Sequence, residues 1–552
     1  MIIILIYWLL LFFLFLPIGC ITVKQLKIQT SHISIILLMG MFTSTLFFTL
    51  ASFFVPLGVV SFVVIALLSA TSWLYCKNEC LLYLKNFRED FISLPVYLKA
   101  GLYILAAGAA LKSAGVPFIT DNESYYIQNI KWFNEYGTVK GLANLHVFFA
   151  QASFWHYLQA GLNFHFITNR INDINGFTFI LCIFFYFTEG RKKENASWLL
   201  LTAVFSVLLF QFLDTPSPDL PVLVLCPIMV YFYLEQGNDN NRTTALSLFI
   251  FLLVIKITVL PLGILFYREL FSKKTLPLFA KAAIPALAIW ITKNIIISGY
   301  PLYPITAPRL NTSWTAPRKL VDFVVKITSD HGYYKGAAPA GNPALGTKLL
   351  SWYHLPGIAG IVNKLALLLF TVTPILAWYK KQKSFFMVYL AFALHFITLL
   401  VTSPQFRYFL PGVIFLLPYT LMLVTSQCPA IRKYLLVGCC IAAWVPFINI
   451  GLKGFTKNKL NSETGSLTLT QLYLPEINTR FKNMRYPKTR KGNMEYYYPE
   501  KDFLLYGTAN GPLPCVNKRQ VESIEKKLQL YPQLIDSTDI GKGFYSKTEV
   551  PQ

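Results

Sequence analysis

Charge is scarce in this sequence: 14% of its 552 residues are Asp, Glu, Lys or Arg, against about 25% in an ordinary soluble chain. The shortage is absolute at the start, where residues 1–22 carry no charged side chain. A secretory signal peptide opens on a basic stretch and closes on small residues at a cleavage site, so this segment reads as a retained transmembrane helix. Cysteine is sparse and scattered. Cys20, Cys182, Cys226, Cys439 and Cys440 fall in apolar stretches, where cysteine acts as a small hydrophobe. Cys76 and Cys80 are four apart, but no second pair and no nearby His completes a zinc-binding spacing. Acidic residues number 26 against 49 basic ones, a net charge of +23. No basic and aromatic module lies outside the apolar stretches, which argues against nucleic acid as a partner. The excess Lys and Arg are read as anchors of cytoplasmic loops on anionic lipid. No internal or inverted repeat is visible, a feature on which many secondary transporters are built.

What the chain has in abundance is apolar sequence, 55% of residues, gathered in blocks of roughly membrane-spanning length. They run about 1–22, 32–54, 56–76, 97–114, 173–188, 197–213, 219–234, 245–267, 276–298, 358–379, 385–402, 406–425 and 434–451. The expected fold is an all-α polytopic membrane protein of about 12–14 transmembrane segments over 1–451. A small extramembrane C-terminal domain, 452–552, should follow.

The basic runs Arg191-Lys192-Lys193, Lys380-Lys381-Gln382-Lys383 and Arg432-Lys433 are expected on the cytoplasmic side. Segment 115–145, with three acids against two bases, then faces outward. If 245–267 crossed only once, the later basic runs would fall on the wrong side. Lys256 and Pro261 stand inside that stretch, and a lysine at mid-membrane depth is costly in a plain helix. A broken hairpin that enters and returns resolves both points. It places loop 299–357 and the C-terminal region outward with 115–145.

The segment 121–165 carries the most chemistry. Asp121 and Glu123 lie at its start, where carboxylates can take a proton from a sugar hydroxyl or hold a divalent cation such as Mg²⁺ or Mn²⁺. The same residues would also suit an acidic loop start or a helix cap. Tyr125, Tyr126, Trp132, Tyr136, His146, Trp155 and His156 follow, either an interfacial aromatic belt or platforms for sugars and prenyl chains.

An Asp in the first outward loop, then Tyr, then Trp-x-x-x-x-Gly, resembles the GT-C superfamily, membrane glycosyltransferases that take sugars from polyprenyl-phosphate carriers. Asp121-Asn122-Glu123 is similar to that superfamily's acidic pair. IKWFNEYGTVKGLANLH, at 130–146 with its first residue Ile130, resembles a little-characterised bacterial branch. In order along the chain, SPDLP (217–221) resembles the Pro-Asp element and IKITVLPL (255–262) the Lys-containing hairpin. KNIIISGYPLYP (293–304) resembles the stretch opening the second external loop, SPQFRYFLP (403–411) a late Arg-Tyr element, and GPLPC (511–515) the branch's C-terminal signature. The chain departs from the branch in carrying Tyr126 where His is usual, and Gly507-Thr508-Ala509-Asn510 where a Cys and a Trp are usual.

The resemblance implies an inverting transfer at the external face of a bacterial inner membrane, from a polyprenyl-phosphate-linked sugar to a glycan, lipid or protein acceptor. It implies Asp121 as general base with Glu123 in support or binding a metal, and Lys256, Lys293 and Arg407 on the donor phosphate. Tyr125, Tyr126, Trp132, His146, Asp219, Asn294 and Tyr303 would line the substrate. A carrier-linked glycan flippase, an oligosaccharide transporter or an O-antigen-type polymerase would also need charges at depth and external loops.

Overall fold

The computed structural model describes every residue except 236–238, 273–275, 337–338, 340, 342, 426–428, 449–450, 452–466, 501–503 and 549–552. Lys273 and Lys274 and the first part of the C-terminal region thus lie outside the described residues, as does the Arg432 side chain. Every described element from Ile2 to Ala442 is a helix or helical turn. Near its C-terminus it adds two antiparallel hairpins, Lys488–Lys491 with Met494–Tyr497 and Leu530–Leu534 with Phe544–Thr548.

Seven helices among the described residues are long and apolar enough to cross a membrane, or eight if the bent pair Val59–Tyr75 and Lys77–Ile92 forms one span. That is fewer than the apolar blocks suggest, although helices occur at the expected places. Asn175–Gly190 and Asp219–Leu234 have 16 residues each and Asp239–Ile255 has 17. At 1.5 Å per residue such helices rise only about 25 Å, short of a hydrocarbon core of about 30 Å.

Small residues set the first helix crossing. Gly19 in Ile2–Gln25 lies against the Ile36 carbonyl, and Gly40 in Ile33–Ala51 lies against the Phe15 carbonyl. A side chain at either glycine would force these backbones apart. Helix Asp239–Ile255 stops at Lys256, which is extended at φ −152° and ψ 109°. Residues Ile257–Phe266 continue as tighter 3-10 turns containing Pro261. The rings of Phe249 and Phe266, on either side of the break, are 5.3 Å apart. The chain therefore doubles back at Lys256, the fold-back that the charge pattern requires.

The two ends of the bundle differ. At one end Arg191 donates to the Ser93 carbonyl at 2.8 Å and Lys193 pairs with Glu235. Lys383 lines a cleft there with Tyr233, Arg242 and Glu269. At the other end the segment after Ser113, the amphipathic helix Arg318–Tyr334 and the C-terminal region pack together. Their joint core includes Trp132, Leu142, Tyr300, Met494, Val516 and Phe544. The boundary expected at 451 therefore does not separate two cores: the C-terminal hairpins complete a cap begun by the two long loops. Gly141, at φ +66°, touches the Phe544 carbonyl where a Cβ would stand, so the seam between loop and terminal strand requires glycine.

Candidate functional site

Four charged residues from four distant segments meet where the bundle joins this cap. Asp121 precedes the π-helical turn Asn122–Tyr126. Asp219 opens helix Asp219–Leu234, a position where negative charge suits the helix dipole. Lys256 marks the chain break, and Arg407 lies in the first turn of Phe406–Thr425. Arg407 Nη1 donates to Asp121 Oδ2 and stands 3.7 Å from Asp219 Oδ2, while Lys256 Nζ pairs with Asp219 Oδ1. The charges thus alternate along one chain: Asp121, Arg407, Asp219, Lys256.

The members of that chain differ in access. The side chains of Asp121 and Arg407 are each 21% exposed and that of Lys256 15%, whereas Asp219 is 3% exposed. Asp121 and Arg407 are the most open to a ligand, and the buried Asp219 holds the two cations in place. Arg407 is further oriented by its Nε, which donates to Gln405 Oε1 at 3.1 Å. Lys256 lies 4.1 Å and the Arg407 guanidinium 5.3 Å from the Tyr408 ring centroid. An aromatic face there stabilises both cations without neutralising them. Tyr126 O–H points to Asp121 Oδ2 at 3.4 Å. Tyr125 and His156 pack around the Tyr126 ring, their centroids 4.7 Å from it. Gln405 was not singled out in the sequence, although it lies two residues before Arg407 in the Arg-Tyr element SPQFRYFLP.

The backbone leading into Asp121 is braced from two sides. The buried Asp214 pairs with Lys112 and accepts the Phe118 N–H at 3.1 Å. Arg480, from the C-terminal region, donates to the Pro117 and Phe118 carbonyls. Nothing local in sequence announces these partners. From the amphipathic helix, His331 comes under the charges of Arg407 and Asp121, and burial with the Arg407 charge holds its imidazole below the ordinary value.

Other expected site residues fall elsewhere. Glu123 is 1% exposed. Its Oε2 accepts from Thr479 Oγ1 at 2.8 Å, and its Oε1 accepts from the Arg480 N–H at 2.9 Å and from Asn122 Nδ2 at 3.3 Å. Its backbone carbonyl takes the Thr508 and Ala509 N–H groups. Burial raises its carboxyl above the usual range, and those hydrogen bonds pull it back. Glu123 is therefore a fastener of the C-terminal region rather than a partner of Asp121. With both of its oxygens engaged and Asp121 paired to a guanidinium, the pair does not fit a divalent cation in this arrangement. Lys293, buried, donates to the Ala152 carbonyl at 2.9 Å. Asn294 Nδ2 closes the following turn on the Pro301 carbonyl at 3.1 Å. Trp132 and Tyr303 belong to the core of the cap.

His146 joins the two halves of that cap. Its Nε2–H donates to the Tyr506 carbonyl at 3.0 Å and its Nδ1 accepts the Phe148 N–H at 3.1 Å, an assignment that uses both nitrogens of a neutral ring. Burial pushes the imidazole down to about 4 from 6.5. Protonating Nδ1 would set two donors against each other. A histidine lowered on folding costs stability as pH falls, beginning near its unfolded value and ending near its folded one. Between pH 7.5 and pH 5 the expected loss from this group is about 2 kcal/mol. Protease resistance of the C-terminal region, followed across that range, should therefore fall in the wild type and less in His146→Gln. Equal slopes would assign the acid sensitivity to other groups.

No curated protein and no solved structure matches the chain. A family match does cover residues 1–450, which include Asp121, Asp219, Lys256 and Arg407 and leave out the C-terminal hairpins. By that match the chain belongs to the family described as "Domain of unknown function (DUF8201)".

Proposed function

We propose that this chain is a GT-C-type glycosyltransferase, moving a sugar from a polyprenyl-phosphate-linked donor to a glycan, lipid or protein acceptor. The observation that carries the reading is the cluster itself: two cations, Arg407 and Lys256, held among carboxylates, with Asp121 and Arg407 at its open end. A lipid phosphate brings charge that Arg407 can bind in bidentate fashion. As it binds, the guanidinium turns from Asp121 to the phosphate and frees the carboxylate. Asp121 then accepts the proton of the acceptor hydroxyl while its oxygen attacks the anomeric carbon. The bond from that carbon to the phosphate oxygen breaks, and the lipid phosphate leaves with the electron pair. Attack opposite the leaving group inverts the anomeric centre. Lys256 and Arg407 stabilise the charge on the departing phosphate, and the half-buried Tyr125 offers a face for the sugar, while the buried Tyr126 only orients Asp121. The test is transfer of labelled sugar from a polyprenyl-phosphate donor by the purified full chain. Donor binding without transfer to any acceptor class would favour a flippase.

The active face is assigned to the outside of a bacterial inner membrane. The basic ends near Arg191 and Lys383 then lie in the cytoplasm, in keeping with the Lys and Arg runs of the short loops. Cysteines introduced by Asn311→Cys and Ile535→Cys should react with an impermeant maleimide in intact cells. Those from Lys192→Cys and Lys381→Cys should react only after permeabilisation. The opposite pattern would invert the assignment.

A further inference from the structure

At the end of the bundle away from the cap, three thiols meet that are separate in sequence. Met1, at the start of the first helix, donates its amino group to the Gln471 carbonyl of the cap, so the other end of that helix, with Cys20, lies far from it. Cys76 stands at the bend between Val59–Tyr75 and Lys77–Ile92, and Cys80 one turn further on. The three Sγ atoms lie within 4.8 Å of one another, and those of Cys20 and Cys80 are 3.4 Å apart. Their exposures are 3%, 1% and 0%. The pair Cys76 and Cys80 lacks a third ligand in the local sequence, and the fold supplies it from the first helix.

We propose that Cys20, Cys76 and Cys80 bind a single thiophilic d¹⁰ cation, Zn²⁺ or Cu⁺. Sulfurs about 2.3 Å from a common metal stand about 4 Å apart, so the observed spacing accepts an ion with small side-chain adjustments. Soft thiolates select such ions over hard ones. The ion also accounts for the grouping. Thiols are weak hydrogen-bond partners, and three gathered in an apolar interior gain little from one another. A cation there offsets the charge of the deprotonated sulfurs, which burial alone opposes.

The location suits a structural clamp. The two helices that flank Cys76 meet at 90°, joining an apolar helix to one that carries Lys77, Glu79, Lys85, Arg88, Glu89 and Asp90. A metal held by Cys76, Cys80 and Cys20 fixes that bend to the first helix. In the topology proposed above this end faces the cytoplasm, where free thiols persist.

The experiment uses the full chain, purified in detergent under reducing conditions without chelator. Elemental analysis should find a single equivalent of zinc or copper per chain, and the element found decides between the two ions. After removal of the metal, Cd²⁺ should produce sulfur-to-cadmium charge-transfer absorption that saturates at a single equivalent. Cys20→Ser and Cys80→Ser should lose both signals, while Cys182→Ser, at a buried thiol elsewhere, should keep them. The wild-type measurements decide the matter even if a variant fails to fold. Absence of both the metal and the cadmium band overturns the proposal. So does a Cys20–Cys80 disulfide in protein alkylated at lysis, since that bond would consume two of the three ligands.

Discussion

Asp121→Asn should lower sugar transfer by about 10²- to 10⁴-fold, the usual contribution of a general base, with little effect on the amount of folded protein. The substitution keeps the shape of the side chain and leaves one oxygen to accept from Arg407 and Tyr126. It removes the oxygen that can carry away the acceptor's proton. Two neighbours hold Arg407 in place independently of Asp121: Gln405, and Asp219 at 3.7 Å. Donor binding should therefore survive and may be compared directly by competition with a non-transferable analogue. Arg407→Ala behaves differently, because a phosphate is charged before the reaction as well as during it. That variant should lose binding and turnover together. A single pattern for both variants would mean that Asp121 serves the donor site rather than the proton. Near wild-type transfer by Asp121→Asn would remove it from the chemistry altogether.

The all-helical character and the helices in the apolar blocks were legible in the sequence, because apolar runs and basic breaks are local signals; the polar helices Lys77–Ile92, Arg318–Tyr334 and Leu345–Tyr353 lie outside those blocks. The fold-back at Lys256 was legible for a different reason. A charged residue between apolar flanks and the sidedness of distant Lys and Arg runs constrain the same segment. Asp121, Asp219, Lys256 and Arg407 could be marked as candidates, but their alternation along one chain depends on tertiary packing. Glu123 was misjudged for the same reason. Its spacing from Asp121 suggests a shared task, yet a π-helical turn separates their directions, and the partners that engage Glu123 come from Thr479 and Arg480 in the C-terminal region. The polar composition of 452–552 suggested an independent domain. Its apolar residues are few because they finish a core whose other half lies in the loops around Trp132 and Tyr300. Cys20 could not be joined to Cys76 and Cys80, since no local pattern reports a crossing of helices.

The Asp219–Lys256 pair should show the largest effect on stability. Both side chains are well shielded, 3% and 15% exposed, and removing one member of a buried pair typically costs about 3–5 kcal/mol because the other charge is left behind. Asp219→Ala strands Lys256, for which the Tyr408 ring is a poor substitute, and takes from Arg407 its inner carboxylate. Lys256→Met should cost less, since Asp219 keeps Arg407 at 3.7 Å. Combining Lys256→Met with Asp219→Ala removes both charges, so the double variant should be more stable than Asp219→Ala alone. Thermal unfolding in detergent measures this order. If the two losses simply add, the residues are not coupled and the cluster is not a unit of the fold. Sugar transfer should not recover along with stability. The double variant would fold, yet it would lack Lys256, and Arg407 would be left without the carboxylate that holds its inner side. A protein restored in stability but not in transfer would separate the structural work of these charges from their work on the phosphate.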